Sequence, residues 1–221
     1  MRLGLVVAAL LVAGPAGGAP RVVVEDWSGH AAGARGVPRE WTGQNWGDPR
    51  FDFTVVVNDR RKVLHLKSRD DGSTISKDIR RKVDLRATPI LEWRWKVVRL
   101  PRGGNSCHAA SDDQAAQIYV LWPRFPEPVR SRILGYVWDS TAPVGTVCKS
   151  EKTNTVTYIV ARSGSAGLGT WITERRNVHL DFKRVYGEAP DAPAAVSVSI
   201  DTNDTHSVAE AFIGPIVFRA P

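Results

Sequence analysis

The chain has 221 residues and a formal net charge of +7, and 43% of its residues are hydrophobic while 24% are charged. This composition is typical of a globular protein, and the eight Trp, six Phe and four Tyr exclude an intrinsically disordered chain. The length fits one domain with a sizeable core, because single β-sandwiches can exceed the usual domain size of about 100–200 residues.

The first 18 residues have the features of a secretory signal peptide. Met1-Arg2 carries one positive charge, Leu3 to Ala13 is apolar, Gly14-Pro15 breaks a helix, and small residues follow. That order predicts export with cleavage after Gly18, which leaves residues 19–221 as a single domain in the periplasm or outside the cell. The alternative, a buried N-terminal strand or helix, accounts less well for the early positive charge and the helix break.

The rest of the sequence has no apolar run near the roughly 20 residues that a membrane-spanning helix needs, so we expect no membrane insertion after signal cleavage. A basic protein can bind nucleic acid, anionic lipid or acidic polysaccharide. The densest basic groups, at 60–62 and 80–82, each lie next to Asp and fit solvated turns. Because export separates the chain from nucleic acid, the sequence predicts no nucleic-acid partner, and it leaves the oligomeric state open.

The two cysteines, Cys107 and Cys148, both follow loop sequence rich in Gly, Ser or Pro. In an exported chain, two cysteines favour a disulfide bond. A metal site or a catalytic thiol is the alternative, but the pair lacks the spacing typical of either.

The mature sequence consists of short extended runs separated by turn residues. Phe51–Val57 and Lys62–Lys67 flank the turn residues Asn58-Asp59, which predicts a hairpin. Ile90–Val98 alternates strictly, so its apolar residues share one face: Leu91, Trp93, Trp95 and Val97. Further extended runs lie at 22–24, 82–85, 117–122, 133–138, 155–161, 196–200 and 212–218. About ten strands at fairly regular spacing are typical of an all-β sandwich or barrel.

Two other segments have distinct local signals. His179–Tyr186 is predicted to be one short helix that stops at Gly187. Asp201–Thr205 is predicted to be a hairpin turn between the last two strands, with a structural Ca²⁺ site as the weaker interpretation of its oxygen-rich side chains. We predict no other cofactor.

Several blocks, in order along most of the mature chain, resemble a bacterial family of exported proteins catalogued as domain of unknown function 3047. They are Val83–Leu85, Pro89–Val97, Asp112–Val120, Glu174–Val178, Asp181–Glu188 and Asp201–Thr205. The chain departs from the family pattern at Gln117 and Asn203. The resemblance implies a fold class and an envelope location but no activity.

The order of segments is also similar to galactose-binding and carbohydrate-binding-module domains, which implies a jelly-roll-type antiparallel β-sandwich.

Polar residues in these blocks form a candidate ligand site. Glu92, Arg94 and Lys96 share one strand face, which suits either a polar groove or a salt-bridge ladder. Asp112-Asp113 opens a strand and suits either a site or a turn cap. An Arg of the Glu174–Asn177 segment is expected to pair with a buried carboxylate such as Asp113 or Glu92. The candidate cluster, which could equally be a structural network, is Glu92, Arg94, Asp113, Arg175, Asn177 and Asp201.

Tryptophans in or beside loops are candidate platforms for sugar rings, whose C–H faces are apolar. Trp41, Trp46 and Trp122 fit that role, whereas Trp93 and Trp95 are expected in the core. The sequence has no Gly-x-Ser-x-Gly elbow and no His-Glu-x-x-His pair. We therefore predict a non-catalytic protein that binds a carbohydrate or envelope glycan. The alternatives are a glycan hydrolase or lyase that uses Glu92 and Asp113, and a structural or protein-interaction role in the envelope.

Overall fold

A computed structural model describes residues 19–221, and the predicted signal peptide lies outside the described residues. The described chain forms thirteen β-strands, two short α-helices and one turn of 3-10 helix at Ala109–Ser111. The strands are β1 (Arg21–Glu25), β2 (Thr42–Gly43), β3 (Phe53–Asn58), β4 (Arg61–Arg69), β5 (Gly72–Asp78), β6 (Ile90–Arg99), β7 (Ala116–Trp122), β8 (Arg132–Asp139), β9 (Val147–Lys149), β10 (Val156–Ser163), β11 (Ile172–Asn177), β12 (Ala195–Asp201) and β13 (Val208–Arg219). The helices are α1 (Glu127–Arg130) and α2 (Val178–Tyr186).

The strands form two sheets that pack as a sandwich. The six-stranded sheet has the order β11-β6-β13-β4-β3, and β1 also pairs with β13. The seven-stranded sheet has the order β2-β5-β12-β7-β8-β10-β9. The predicted all-β, jelly-roll-type sandwich is confirmed. Among the strands of residues 19–221, the one departure from antiparallel pairing is β8 with β10, which run parallel.

The core lies between the sheets, where the alternation of β6 places its large apolar side chains. Trp93 and Trp95 are fully buried, as predicted. Trp93 packs on Tyr136 of β8 with ring centroids 5.3 Å apart, and Trp95 packs on Trp138 at 5.7 Å. Because alternate residues of a strand face opposite sides, this packing leaves the polar residues of β6 on the outer face of the six-stranded sheet.

The predicted hairpin over 51–67 is confirmed as β3 and β4, joined by the two residues Asp59 and Arg60. Both have positive φ, 50° and 64°, as a type I′ turn requires. The predicted strand over 82–85 is wrong. That segment forms turns, and Val83 and Leu85 are apolar because they cover the core from a connection.

The segment Asp201–Thr205 is not a hairpin turn. β12 and β13, which it connects, belong to different sheets, so it carries the chain across the sandwich. A hairpin turn and a connection between two sheets use the same turn residues. Turn composition therefore does not indicate which sheet the next strand joins.

The helix predicted over 179–186 is confirmed as α2. Its N-cap is Asn177, whose side chain accepts a hydrogen bond from the amide of Leu180 at 3.0 Å. Gly187 ends it with φ 76°. The four-residue helix α1 was not predicted from the sequence.

The predicted disulfide is confirmed between Cys107 and Cys148. It ties the loop before β7 to strand β9. Both half-cystines pack on a small apolar cluster that includes Val137, Tyr158 and Val160. No helix among residues 19–221 is long and apolar enough to cross a membrane.

Candidate functional site

The structure divides the predicted polar cluster between the two sheets. Glu92, Arg94 and Arg175 lie on the paired strands β6 and β11 of the six-stranded sheet. Asp201 ends β12 of the seven-stranded sheet, and Asp113 lies in the loop three residues before β7 of the same sheet. The structure therefore does not bring Glu92 and Asp113 together. Asn177, the remaining member, caps α2.

Glu92 is the centre of an ion-pair ladder. Its Oε2 accepts hydrogen bonds from Arg175 Nε at 2.6 Å and from Arg219 Nη1 at 3.0 Å. Partial burial raises the pKa of Glu92, but the two arginines outweigh it and hold the pKa below its usual value. Glu92 is thus an ionised carboxylate with two cationic partners. It is poorly suited to act as a general acid.

Trp171, which sequence reasoning did not place in the site, organises the next part of this face. It is half-buried directly before β11, and its indole N–H donates to Asn58 Oδ1 at 2.9 Å. The guanidinium carbon of Arg94 lies 5.2 Å from the ring centroid, and Lys96 Nζ lies 5.3 Å from it. Lys96 Nζ also donates to Asn58 Oδ1 at 2.9 Å. Two cations and one amide therefore hold the indole in place.

Two more rings continue the same surface. His65 stacks on Phe212 with centroids 4.2 Å apart and planes 4° from parallel. Phe212 lies 6.4 Å from Trp171, and Lys96 Nζ lies 4.7 Å from the centroid of Phe212. We call Trp171, Phe212 and His65 the aromatic strip. It crosses the outer face of the six-stranded sheet beside the polar residues of β6.

A small cavity of about 120 Å³ opens beside Trp171. Val63 and Arg94 line it, together with the Gly214-Pro215 bulge of β13. A Cβ at Gly214 would lie 3.1 Å from the Cβ of Arg94, so a larger residue would crowd the cavity wall. Arg94 Nε is buried and has no hydrogen-bond partner among residues 19–221.

The carboxylates of the seven-stranded sheet have different environments. Burial raises the pKa of Asp112 to about 6, although Gln114 and Tyr158 donate hydrogen bonds to it at 2.8 and 3.1 Å. Burial and the nearby Asp113 raise the pKa of Asp201 to about 8. Asp113 itself accepts from the amides of Asp204 and Thr205, at 3.1 and 2.7 Å. It therefore fastens the β12–β13 connection to the loop before β7.

These carboxylates do not form a recognisable cation site. Within residues 19–221, no group of three or more His, Cys, Asp or Glu side chains is arranged to hold a metal ion. The oxygens of Asp113 are already occupied by backbone amides. The structural Ca²⁺ remains a prediction.

The three candidate tryptophan platforms differ in exposure. Trp41 is buried and stacks on Trp27 with centroids 5.5 Å apart. Trp122 is buried against Phe182 at 4.6 Å. Trp46 alone of the three is open to solvent, with 63% of its surface exposed. Its carbonyl accepts a hydrogen bond from Gln44, away from the aromatic strip.

The sequence of residues 39–217 matches the family described as protein of unknown function, DUF3047. The chain belongs to this family. The match covers most of the chain, and it confirms the resemblance inferred from the blocks around β6, β7 and α2. In this DUF3047 chain, the aromatic strip lies within the matched region. No curated protein matches the sequence significantly.

Solved structures with similar folds have little sequence in common with this DUF3047 chain. The carbohydrate recognition domain of Emp47p is 13% identical, with a TM-score of 0.45, and the match covers 90% of this chain and 95% of that one. The K2 cleaved adhesin domain of Lys-gingipain is 8% identical, with a TM-score of 0.43 over 90% and 99% of the two chains. The CBM22-1 xylan-binding domain of Paenibacillus barcinonensis Xyn10C is 9% identical, with a TM-score of 0.37 over 90% and 94%.

Sequence reasoning found part of the site and missed its rings. The alternation of β6 placed Arg94 and Lys96 on the correct face. Phe212 lies at an outward position of β13, between the buried Ala211 and Ile213. The alternation of this strand could therefore have predicted that Phe212 faces outward. Trp171 had no such signal, because it precedes its strand and is oriented by Asn58 from a distant hairpin.

Proposed function

We propose that the protein is exported and binds a carbohydrate at the aromatic strip, without turning it over. The observation that carries this proposal is that the Trp171 ring centroid lies 5.2 Å from the Arg94 guanidinium carbon and 5.3 Å from Lys96 Nζ, beside a cavity that Trp171 and Arg94 both line. The export part is supported by the charged, apolar and small-residue order of the first 18 residues and by the disulfide.

The chemistry of a sugar ring matches this surface. One face of the ring presents C–H groups that pack on an aromatic ring, and its edge presents hydroxyls that donate and accept hydrogen bonds. Trp171 offers the apolar face, while Arg94 and Lys96 offer donors close to it. Because Asn58 fixes the indole before any ligand arrives, binding costs little side-chain entropy.

The carboxylates of this face favour binding over catalysis. Glu92 is ionised between two arginines, and Glu210 bonds to His65 Nε2 at 2.7 Å. Glycoside hydrolysis usually needs a second, protonated carboxyl across the scissile bond. The alternative that paired Glu92 with Asp113 has no geometric support, since Glu92 lies on the outer face of the six-stranded sheet and Asp113 is fully buried in the loop before β7 of the other sheet.

The test is a glycan array with residues 19–221, followed by calorimetry on each glycan that binds. Trp171→Ala and Arg94→Gln should each weaken binding by about tenfold or more, which corresponds to about 1.4 kcal/mol. Trp46→Ala is the matched control, because Trp46 is exposed and lies outside the strip; its affinity should be unchanged.

Three results would contradict the proposal. The first is that no glycan binds, and the second is that a bound glycan keeps its affinity for Trp171→Ala. The third is the release of new reducing ends or unsaturated sugars from the bound glycan during incubation, since this would make the protein an enzyme.

A further inference from the structure

A second feature, independent of the aromatic strip, lies at the edge of the seven-stranded sheet. A groove of about 630 Å³ is formed by the α1 segment, by β8 and β9, and by the end of α2. Its lining contains no Asp or Glu but includes five cationic side chains: Arg124, Arg130, Arg132, Lys149 and Arg184. Such a concentration of one charge raises the local potential and attracts anions.

Most of this charge is not neutralised by the protein. Arg124 and Arg132 share Glu188, with Arg124 Nη1 at 2.9 Å from its carboxylate. The other three cations have no carboxylate partner within 4.0 Å anywhere in the described chain, namely Arg130, Lys149 and Arg184. Like charges that face one groove repel one another, so an anion in the groove would relieve this repulsion.

Parts of the groove are held rigidly. The guanidinium of Arg132 lies 4.7 Å from the ring centroid of Tyr186, whose hydroxyl donates to the carbonyl of Ile133 at 3.1 Å. On the opposite side, Lys149 follows Cys148, which is fixed by the disulfide and also lines the groove. Cations that are positioned before binding lose less entropy when they bind an anion.

We infer that this groove binds several phosphate groups at once, supplied either by one molecule that carries more than one of them or by neighbouring lipid headgroups. Arginine presents a planar fork of donors that matches phosphate oxygens, and a dianionic phosphate makes the fullest use of several cations. The volume exceeds that of a single oxyanion and is in the range of sites for small organic ligands, about 300–1,000 Å³.

The phosphate can come from a soluble molecule or from lipid headgroups, and the groove has a feature that separates these sources. Phe125 and Val129, on the loop and helix that form one wall, have 87% and 67% of their surfaces exposed. Exposed apolar side chains beside cations favour binding to the surface of an anionic membrane, because they can enter the membrane interface. If the phosphate source is soluble, Phe125 and Val129 make no contribution to affinity.

The experiment measures binding of residues 19–221 to inositol hexakisphosphate by calorimetry, and to vesicles of phosphatidylglycerol by sedimentation, with phosphatidylcholine vesicles as the reference. The triple variant Arg130→Gln, Lys149→Gln, Arg184→Gln should lose at least tenfold in affinity for whichever phosphate source binds. Phe125→Ser should weaken only the vesicle arm if lipid is the source.

A charge-matched control separates the groove from net charge. The triple variant Arg39→Gln, Lys82→Gln, Arg86→Gln removes three exposed cations that lie outside the groove and, within residues 19–221, have no carboxylate within 4.0 Å. It should change affinity by about twofold at most. Three results would overturn the inference: equal losses in the two triple variants, equal binding of a polycarboxylate that contains no sugar, such as polyglutamate, or no binding in either arm. Trp171→Ala should leave phosphate binding intact, so failure here and failure of the proposed carbohydrate site can be told apart.

Discussion

The indole N–H of Trp41 donates a hydrogen bond to a carboxylate oxygen of Glu25 at 3.0 Å, and this pair lies inside the sandwich. The same oxygen accepts from Lys77 Nζ at 2.8 Å, and the other oxygen accepts from the amide of Trp27 at 2.7 Å. Burial by itself would raise the pKa of Glu25, but Lys77, Trp41 and the Trp27 amide lower it to about 2. A residue expected to present a platform to sugar thus anchors the first strand to the core.

Removing this carboxylate should be costly. Glu25→Ala removes the acceptor of the Trp41 N–H and leaves Lys77 with only the exposed Glu40, and breaking a buried pair typically costs about 3–5 kcal/mol. We expect a decrease of that size in the free energy of unfolding, measured by urea denaturation. Glu40→Ala is the control: Glu40 also contacts Lys77, at 3.3 Å, but its side chain is 62% exposed, so the loss should stay below about 1 kcal/mol. Similar losses for both variants would show that the buried Glu25 contributes no more to stability than the exposed Glu40.

Asp201 should give the protein an unusual pH dependence. Its pKa in the folded state, about 8, lies above the ordinary value of 3.8, because burial and Asp113 disfavour the ionised form. Between these two values the folded state holds a proton that the unfolded state has lost, so the free energy of unfolding falls as pH rises from about 4 to about 8. Asp112, with a pKa of about 6, contributes in the same direction.

Asp201→Asn tests this dependence. The variant should be more stable than the unsubstituted protein at pH 9, and its stability should vary less between pH 5 and 9 in urea denaturation. Asp191→Asn, at an exposed position, should leave the profile unchanged. A profile for Asp201→Asn that superimposes on that of the parent protein would show that Asp201 ionises normally. Below about pH 4.5, the lowered pKa of Glu25 acts in the opposite sense, and stability should fall as pH drops toward 2.

The disulfide should contribute substantially to stability. Cys107 and Cys148 are 41 residues apart in sequence, and closing a loop of that length is worth roughly 4 kcal/mol in the chain-entropy model. The double variant Cys107→Ser, Cys148→Ser should lose stability of that order in urea denaturation. Reduction of the unsubstituted protein should give a similar loss, while reductant should have no effect on the double variant. Free thiols in protein isolated from an oxidising compartment would contradict the bond.

Two adjacent arginines of β11 should lose very different amounts of stability on the same substitution. Arg176 donates two hydrogen bonds to the buried Asp181, at 2.9 and 2.6 Å, so Arg176→Gln should cost about 3 kcal/mol. Arg175 pairs with Glu92 on the outer face and its side chain is 64% exposed, so Arg175→Gln should cost less than about 1 kcal/mol. Thermal or urea unfolding of the two variants measures the difference, and equal losses would contradict it.

The sequence by itself determined the local features of this protein. The period of two in β6 predicted which residues are buried, because a strand places alternate side chains on opposite faces. The turn residues before β4 predicted the hairpin, and Gly187 predicted the end of α2, because both signals act within a few residues of the chain. The family membership was also visible in the order of short blocks.

Only the tertiary structure decided which local elements meet. The sequence did not determine that Glu92 and the strand that follows Asp113 would lie in different sheets, because strand alternation does not specify strand order. It did not place Trp41 against Glu25, or Trp171 against Asn58, because these contacts join residues far apart in the chain. A tryptophan in a loop has the same local sequence signal whether it becomes core or surface. Its fate depends on which distant elements pack around its ring, and these are set by the packing of the two sheets.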